Sequence, residues 1–187
     1  MACEKDPRDI SQVSFASLHA MLRSKAGKPL YTKSLLSFDP GQTTGWAYFE
    51  GDALVKQGQA KTKDLEEGIV NLTKMIDTLD PQEIVLEDYR IYSWKAKEHS
   101  FSELHTPKLI GSIYAIAHAR GIPVTKQPAH LAKRFCTDKK LQLWKLYAPG
   151  QRHARDAVRH ACFYILFGAT QENHKPSNSA SNKSTVG

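Results

Sequence analysis

Residues 36–47 of the chain read LSFDPGQTTGWA, in which an apolar run ends at a carboxylate and a polar turn with two glycines follows. The apolar residues 35–38 predict a short buried strand that would hold Asp39 rigidly at its end. Gly41 and Gly45 leave room for a metal ion or a phosphate oxygen to approach the turn. Asp-Pro-Gly is also a common turn sequence, so an Asp39 that only caps a turn is the competing interpretation.

Two further acids follow at comparable positions. Glu87 ends a second, largely apolar run at 83–86, and Asp156 lies on a late helix beside His153. If the first and fourth strands lie side by side, Asp39 and Glu87 meet at one edge of the sheet. Glu87 alone could be an ordinary strand-end acid. Three acids and a histidine on the ends of regular elements are together the groups that a divalent-metal phosphodiesterase needs.

The last predicted helix, 151–167, divides into three faces when its residues are placed at 100° intervals. His153 and Asp156 share a polar strip at i and i+3, so both side chains can reach one ion. An alanine-rich apolar face lets the helix approach the sheet closely, and an arginine stripe at 152, 155 and 159 could meet phosphates. An ordinary surface pair on a basic helix is the alternative for His153 and Asp156. His160 is interpreted as a neighbour of the strip rather than as a ligand.

Charge is distributed unevenly along the 187 residues, whose net charge is +7. Residues 34–88 carry four basic and eleven acidic groups, whereas residues 89–160 carry fourteen basic and four acidic groups. A metal pocket beside a basic surface suits a polyanion such as nucleic acid. A solvated, soluble surface is the simpler reading of the same charges.

Composition excludes several other classes. The three cysteines show no CxxC spacing, which argues against a disulfide framework and a zinc knuckle and favours a reducing compartment. No apolar stretch is long enough to span a bilayer, and the N-terminus lacks the apolar core of a secretory signal. We therefore expect no membrane partner and a reducing compartment.

The chain is predicted to contain one α/β domain at 34–169, an N-terminal extension at 1–33 that is partly helical or disordered, and a disordered tail at 170–187. The predicted strands are 35–38, 45–50, 53–60, 83–87 and 122–126. The predicted helices are 11–25, 64–79, 106–119, 129–136, a turn or two at 141–147, and 151–167. From residue 34 onward the order β-β-β-α-β-α-β-α predicts a mixed five-stranded sheet flanked by helices.

The segment 88–105 is predicted to contact DNA, because aromatic and basic side chains alternate in it. Aromatic rings can stack on bases exposed at a branch point, and the cations can meet phosphates. A loop whose aromatic residues pack on the fold is the alternative. The side chains concerned are Tyr89, Arg90, Tyr92, Trp94, Lys95 and Lys97.

These motifs, in this order, resemble the RuvC-like Holliday junction resolvases of the RNase H-like superfamily. The resemblance covers roughly residues 35–167. It rests on 36–47, on Ile-Val-Leu-Glu at 84–87, on Leu-Ile-Gly at 109–111, on Pro-Val at 123–124 and on His-Ala-Arg-Asp-Ala at 153–157. The short segment 138–150 and the extra residues 1–33 make the chain more similar to a phage-type or otherwise divergent member.

The resemblance implies an RNase H-like fold and a homodimer that cleaves branched DNA at a four-way junction. It implies a metal-binding set of Asp39, Glu87, His153 and Asp156, with two Mg²⁺ ions per site for which Mn²⁺ could substitute. Lys133 matches a basic residue near the scissile phosphate, and Lys139 or Lys140 matches a second one. Arg152 and Arg155 are the predicted DNA contacts on the last helix, and helix 106–119 is the implied dimer interface. The family resemblance also implies the cytoplasm of a bacterial or phage-infected cell, or another reducing, DNA-containing compartment.

Three other functions stay open at this point. The first is a nuclease of the same fold that cuts flaps, forks, duplex DNA or RNA. The second is a sugar-kinase or actin-like ATPase, against which the chain has no obvious second phosphate loop and is too short for two lobes. The third is a non-catalytic nucleic-acid-binding protein, against which the full set of acids argues.

Overall fold

The computed structural model describes residues 13–89 and 104–168, which form five strands and six helices. The strands are β1 (Ser34–Asp39), β2 (Thr43–Glu50), β3 (Ala53–Lys61), β4 (Glu83–Asp88) and β5 (Val124–Pro128). The helices are α1 (Phe15–Lys25), α2 (Leu65–Leu79), α3 (His105–Ala119), α4 (Ala129–Phe135), α5 (Asp138–Leu143) and α6 (Arg152–Phe167). None of the helices within the described ranges is both long and apolar enough to cross a membrane.

The strands form one mixed sheet in the order β3-β2-β1-β4-β5. β1 pairs antiparallel with β2 and parallel with β4, so it is the central strand of the sheet. This position explains its sequence, because a strand covered on both faces reads as a continuous apolar run. The predicted five-stranded α/β sheet is therefore confirmed, including the side-by-side placement of the first and fourth strands.

Alternate residues of the central strands supply two separate cores. Leu35 and Phe49 pack with α6 and α1 on one face, whereas Leu36 and Phe38 pack with α2 and α3 on the other. On the α6 face, Ser37 donates a hydrogen bond to the Ala157 carbonyl oxygen at 2.8 Å. Because side chains alternate along a strand, Asp39, two residues after Ser37 at the end of β1, also faces α6.

Helix α1 begins at Phe15, because Ser14 caps it by accepting a hydrogen bond from the Ser17 backbone N–H. Phe15 is 4% exposed and lies in the same core as β1 and α6. Trp144 stacks at a tilt against Phe15 and donates its indole N–H to the Val13 carbonyl oxygen at 3.2 Å. This helix thus contributes directly to the packing of the sheet.

Two predicted elements were misplaced. The fifth strand runs from Val124 to Pro128 rather than over 122–126, because β5 is an edge strand, where a proline without an N–H is tolerated. The turn predicted at 141–147 is the helix α5 at Asp138–Leu143. It starts earlier because Thr137 caps it by accepting from the Lys140 backbone N–H.

Candidate active site

The ends of β1 and β4 bring two acids to the same edge of the sheet. Phe38 lies opposite Leu86 in the parallel register, so the residues that follow them, Asp39 and Glu87, end side by side. Asp156 reaches this edge from the first turns of α6 and is 4% exposed. The three acids that the sequence separates by 48 and 69 positions therefore share one site.

A glycine sets how closely α6 approaches these strand ends. Gly45 on β2 pairs with Asp39, and a Cβ added to it would lie 1.9 Å from the His153 carbonyl oxygen. Only a residue without a side chain fits at that distance. The glycine thus admits the first turn of α6, which carries His153 and Asp156, against the edge where Asp39 ends.

Lys133 on α4 joins two of the acids. Its Nζ lies 3.1 Å from Glu87 Oε2 and 3.3 Å from Asp156 Oδ2. Burial of the ammonium alone would lower the pKa of Lys133, but the charges of Glu87 and Asp156 raise it overall. The lysine is therefore held in its charged form between the two carboxylates.

His153 is the partner of Asp39. Its Nδ1 donates to Asp39 Oδ2 at 2.8 Å, and its backbone N–H donates to Gln59 Oε1 at 3.0 Å. Burial, followed by the negative charge of Glu87, raises the pKa of Asp39 to about 6, although the His153 hydrogen bond opposes the rise. Asp39 therefore binds a proton more readily than an exposed carboxyl group does, because its charged form is poorly hydrated and lies beside a second acid.

Glu87 is held by a buried histidine. His160 is 0% exposed, and its Nε2 donates to Glu87 Oε2 at 3.0 Å while Nδ1 lies 3.2 Å from Gln127 Oε1. Burial alone would raise the pKa of Glu87, but the hydrogen bond and charge of His160, together with Lys133, lower it to about 2. Glu87 is consequently ionised near neutral pH.

Asp156 is held by an arginine of its own helix. Arg159 forms hydrogen-bonded ion pairs with Asp156 and with Asp138, and its Nε donates to the Cys136 carbonyl oxygen at 2.9 Å. The guanidinium thus ties the site to the start of α5. Because Arg159 is engaged in these internal contacts, the predicted arginine stripe is not a uniform surface that faces phosphates.

A basic cavity of about 480 Å³ opens beside Lys133. Its lining includes Arg152, Arg155 and Thr137. Arg155 is held against the fold, because its Nη1 donates to the Ala148 carbonyl oxygen at 3.0 Å and its guanidinium lies 4.9 Å from the centre of the Tyr147 ring. Arg152 is exposed at the rim of this cavity.

The other predicted DNA contacts are only partly within the described residues. Lys139 is exposed on α5, and the Lys140 Nζ packs 3.8 Å from the centre of the Phe135 ring. Tyr89 is half-buried just after β4. Arg90, Tyr92, Trp94, Lys95 and Lys97 lie outside the described residues, and their proposed role stays a prediction.

The donors of the site fit a divalent metal by their chemistry. Carboxylate oxygens are the ligands that Mg²⁺ prefers, and a cation would relieve the charge that raises the pKa of Asp39. Within residues 13–89 and 104–168, however, no three His, Cys, Asp or Glu side chains are arranged as a ligand group. Each acid faces a basic partner instead, so metal binding requires the acids to exchange those partners for the ion.

Sequence reasoning missed the residues that hold the acids. Arg159 was grouped with the phosphate-facing stripe, and Gln127, Gln59 and Asp138 were not singled out. His160, predicted to be a neighbour of the polar strip, contacts Glu87; it follows His153 by seven positions and so lies on the same helix face. That spacing is the one signal from which its contact with Glu87 could have been suspected.

Comparison with known proteins identifies the fold. No protein-family model matches the chain, and comparison with curated protein sequences gives no match. The Thermus thermophilus RuvC structure with a Holliday junction substrate superposes with a TM-score of 0.60 at 13% identity, covering 74% of this chain and 96% of that one. A second Thermus thermophilus RuvC structure gives a TM-score of 0.57 at 15% identity, covering 73% and 96%. The resemblance predicted from the motifs is thus confirmed in three dimensions, and the chain has the RNase H-like fold of the RuvC resolvases.

Proposed function

We propose that this protein is a metal-dependent nuclease that hydrolyses phosphodiester bonds in branched DNA, with the four-way junction as its preferred substrate. The observation that carries the proposal is the convergence of Asp39, Glu87 and Asp156 at one sheet edge, with Lys133 between two of them. The fold supports it, because the Thermus thermophilus RuvC structure with a Holliday junction substrate superposes on 74% of this chain.

Asp39, Glu87, Asp156 and His153 would hold the metal. Bound Mg²⁺ would supply Lewis-acid stabilisation of the phosphate and activate water at neutral pH. His153 orients Asp39 through its Nδ1–H, and His160 fixes one oxygen of Glu87. These contacts hold the carboxylates in defined directions, which is what catalysis by positioned charge requires.

Lys133 is the residue we assign to the scissile phosphate. Its side chain is 39% exposed and lines the basic cavity, and its ammonium lies between two acids. A phosphate entering beside it would gain charge-assisted hydrogen bonds from Lys133 and from Arg152 at the rim. The cavity therefore suits the sugar-phosphate chain next to the bond that is cut.

Branched DNA and a homodimer belong to the same proposal. The +10 charge of residues 89–160 supplies attraction for a polyanion, and the aromatic and basic residues of 90–103 supply groups that stack on unpaired bases. A four-way junction has two-fold symmetry, so two symmetric copies of the chain would place two cuts. Flaps, forks, duplex DNA and RNA are the competing substrates for the same chemistry.

The decisive experiment compares cleavage of a labelled four-way junction, a flap and a linear duplex, with and without Mg²⁺. We expect Mg²⁺-dependent cutting of the junction, and a loss of about a hundredfold or more in Asp39→Asn, Glu87→Gln and Asp156→Asn. Junction binding in a gel-shift assay should stay within about threefold, because these groups hold metal rather than phosphate. Asp77→Asn, which alters an exposed ion pair with Arg120 on another face, is the matched control.

Each outcome has a clear meaning. Full activity in any of the three acid variants would remove that acid from the proposed site. Equal cutting of all three DNAs would assign a general nuclease of the same fold. Tight binding without any cutting, in Mg²⁺ or Mn²⁺, would instead indicate the non-catalytic DNA-binding protein.

A further inference from the structure

A buried arginine lies far from the proposed active site. Arg23, near the end of α1, is 5% exposed, and its Nε has no hydrogen-bond partner among the described residues. Its guanidinium lies 5.9 Å from the centre of the Tyr31 ring. A ring face attracts a cation but accepts no conventional hydrogen bond from Nε, so the donor is left without an acceptor in a poorly hydrated position.

A cavity of about 310 Å³ borders this arginine. Three cations line it, Arg23, Lys25 and Lys28, together with the apolar side chains of Leu22 and Leu166. None of the described residues that line it is acidic. The volume is at the lower end of the range for small-molecule sites. The basic side chains of the lining favour an anionic ligand.

A second cavity, of about 290 Å³, borders Arg23 beside Tyr31. There the acid Glu83 is already engaged by Lys33 and by the Tyr31 hydroxyl, which donates to it at 2.9 Å. The carboxylate on that side would also repel an incoming anion. The ligand therefore belongs in the first cavity, whose described lining contains no acid.

The position of the cations on α1 does not by itself account for Arg23. Basic residues in the last turn of a helix interact favourably with its dipole, and this explains the exposed Lys25. Arg23 is buried, however, and burial of a charge is unfavourable without a hydrogen-bonded partner of opposite sign. An anion that reaches the guanidinium would supply that partner.

We propose that the cavity lined by Arg23, Lys25 and Lys28 is a binding site for a phosphate group. The planar guanidinium pairs with two phosphate oxygens, and the exposed ammonium of Lys25 nearby suits the second negative charge. Arg23 shares its second cavity with Tyr31 and Lys33, which precede β1, whereas Asp39 ends this strand, and at 3.3 Å per residue the strand is about 17 Å long. The site is therefore separate from the catalytic edge and independent of the proposed nuclease function.

The test measures phosphate binding to the full chain by calorimetry and by thermal unfolding, with chloride of equal ionic strength as reference. When the phosphate concentration is about ten times the dissociation constant, binding should raise Tm by about 3–6 °C. Arg23→Met should weaken phosphate binding at least tenfold, and Lys25→Glu by about fivefold. Lys74→Met, which removes an exposed lysine of α2, should leave the affinity unchanged.

Lys25 is exposed, so its substitution tests the site even if Arg23→Met does not fold. The proposal would be overturned if phosphate gave no calorimetric binding and raised Tm no more than chloride does. An affinity for phosphate that is the same in wild type, Lys25→Glu and any folded Arg23→Met would overturn it equally.

The phosphate group could belong to a DNA backbone or to a small molecule, and a DNA-binding measurement distinguishes the two. Binding of a linear duplex is followed by fluorescence anisotropy at several salt concentrations. If the group belongs to a DNA backbone, Arg23→Met weakens duplex binding. It also reduces the slope of the logarithm of the binding constant against the logarithm of the salt concentration by about one. If it belongs to a small molecule such as a deoxynucleoside monophosphate, duplex binding is unchanged while that ligand loses affinity. Neither readout involves cleavage.

Discussion

Each acid of the candidate site has its own basic partner, and Lys133 is the one that two acids share. Its ammonium lies within 3.3 Å of both Glu87 and Asp156. A lysine at this position stabilises the acids as an internal counter-ion, and it also competes with any divalent cation for the same oxygens. Its contacts with the acids and the role proposed for it at the phosphate would act in opposite directions on metal binding and on catalysis.

Replacement of Lys133 by methionine should therefore separate the two roles. We expect Mn²⁺ affinity, measured by calorimetry without DNA, to rise about three- to tenfold, because a competing charge has been removed. Junction cleavage at saturating metal should fall, because the phosphate loses its cation. Lys139→Met makes the same change of charge on exposed α5 and should leave metal affinity unaltered. A decrease in metal affinity in Lys133→Met would show that the lysine supports the ligands rather than competes with the ion.

Helix α6 is the element on which the site depends most, because it contributes His153, Asp156, Arg159 and His160. Its first turn lies against β2 at Gly45, and its Ala157 carbonyl accepts a hydrogen bond from Ser37 on β1. The alanines predicted to face the sheet are buried, as expected for a helix that approaches closely. The distance between α6 and the sheet is thus fixed at the site itself.

Substitution of Gly45 by alanine should destabilise the fold and displace the site together. The added Cβ would lie 1.9 Å from a backbone oxygen that cannot rotate away. We expect a loss of about 3 kcal/mol in the free energy of unfolding and a fall in Tm of roughly 6–12 °C, measured by circular dichroism.

Gly111→Ala is the matched control for Gly45→Ala. A Cβ there meets nothing within 4 Å, and alanine is the better helix former by about 1 kcal/mol, so stability should rise slightly. Similar Tm values for Gly45→Ala and wild type would mean that α6 can move back from β2 without loss.

The N-terminal helix α1 packs into the same core as the sheet and α6, so it is part of the folded domain. Phe15 and Leu18 of α1 are buried in the core formed by the sheet and α6. His19 adds a polar anchor, because its Nε2 accepts from the Tyr31 backbone N–H at 3.0 Å and its Nδ1 donates to Asp52 at 3.1 Å. The helix is thus tied both to the linker before β1 and to the β2–β3 turn.

Truncation of Phe15 to alanine tests whether α1 unfolds with the rest of the molecule. We expect a loss of about 3–5 kcal/mol and a single cooperative transition in urea, followed by tryptophan fluorescence and by circular dichroism. Met21→Ala, at a side chain that is 42% exposed, should change stability little. Two separate transitions, with only the weaker one shifted by Phe15→Ala, would instead show that 1–33 is an independent extension.

Much of this architecture follows from local patterns in the chain. Apolar runs that end at Asp39 and Glu87 mark the two parallel strands, and the repeat of alanines on the last helix marks the face that packs on them. His153 and Asp156 share a helix face by spacing alone. These features are readable because strand and helix periodicity act over a few residues, so the order of elements and the acids at their ends need no knowledge of distant contacts.

What the amino-acid order could not reveal is the partner of each of those acids. His160 reaches Glu87 across 73 positions, Lys133 meets it across 46, and α1 enters a core whose other members begin at residue 35. The start of α6 depends on one missing side chain at Gly45, and β5 extends through Pro128 only because it is the outer strand. Such contacts depend on how separate elements pack against one another, and periodicity shows which face of an element is buried but not which distant residue that face meets.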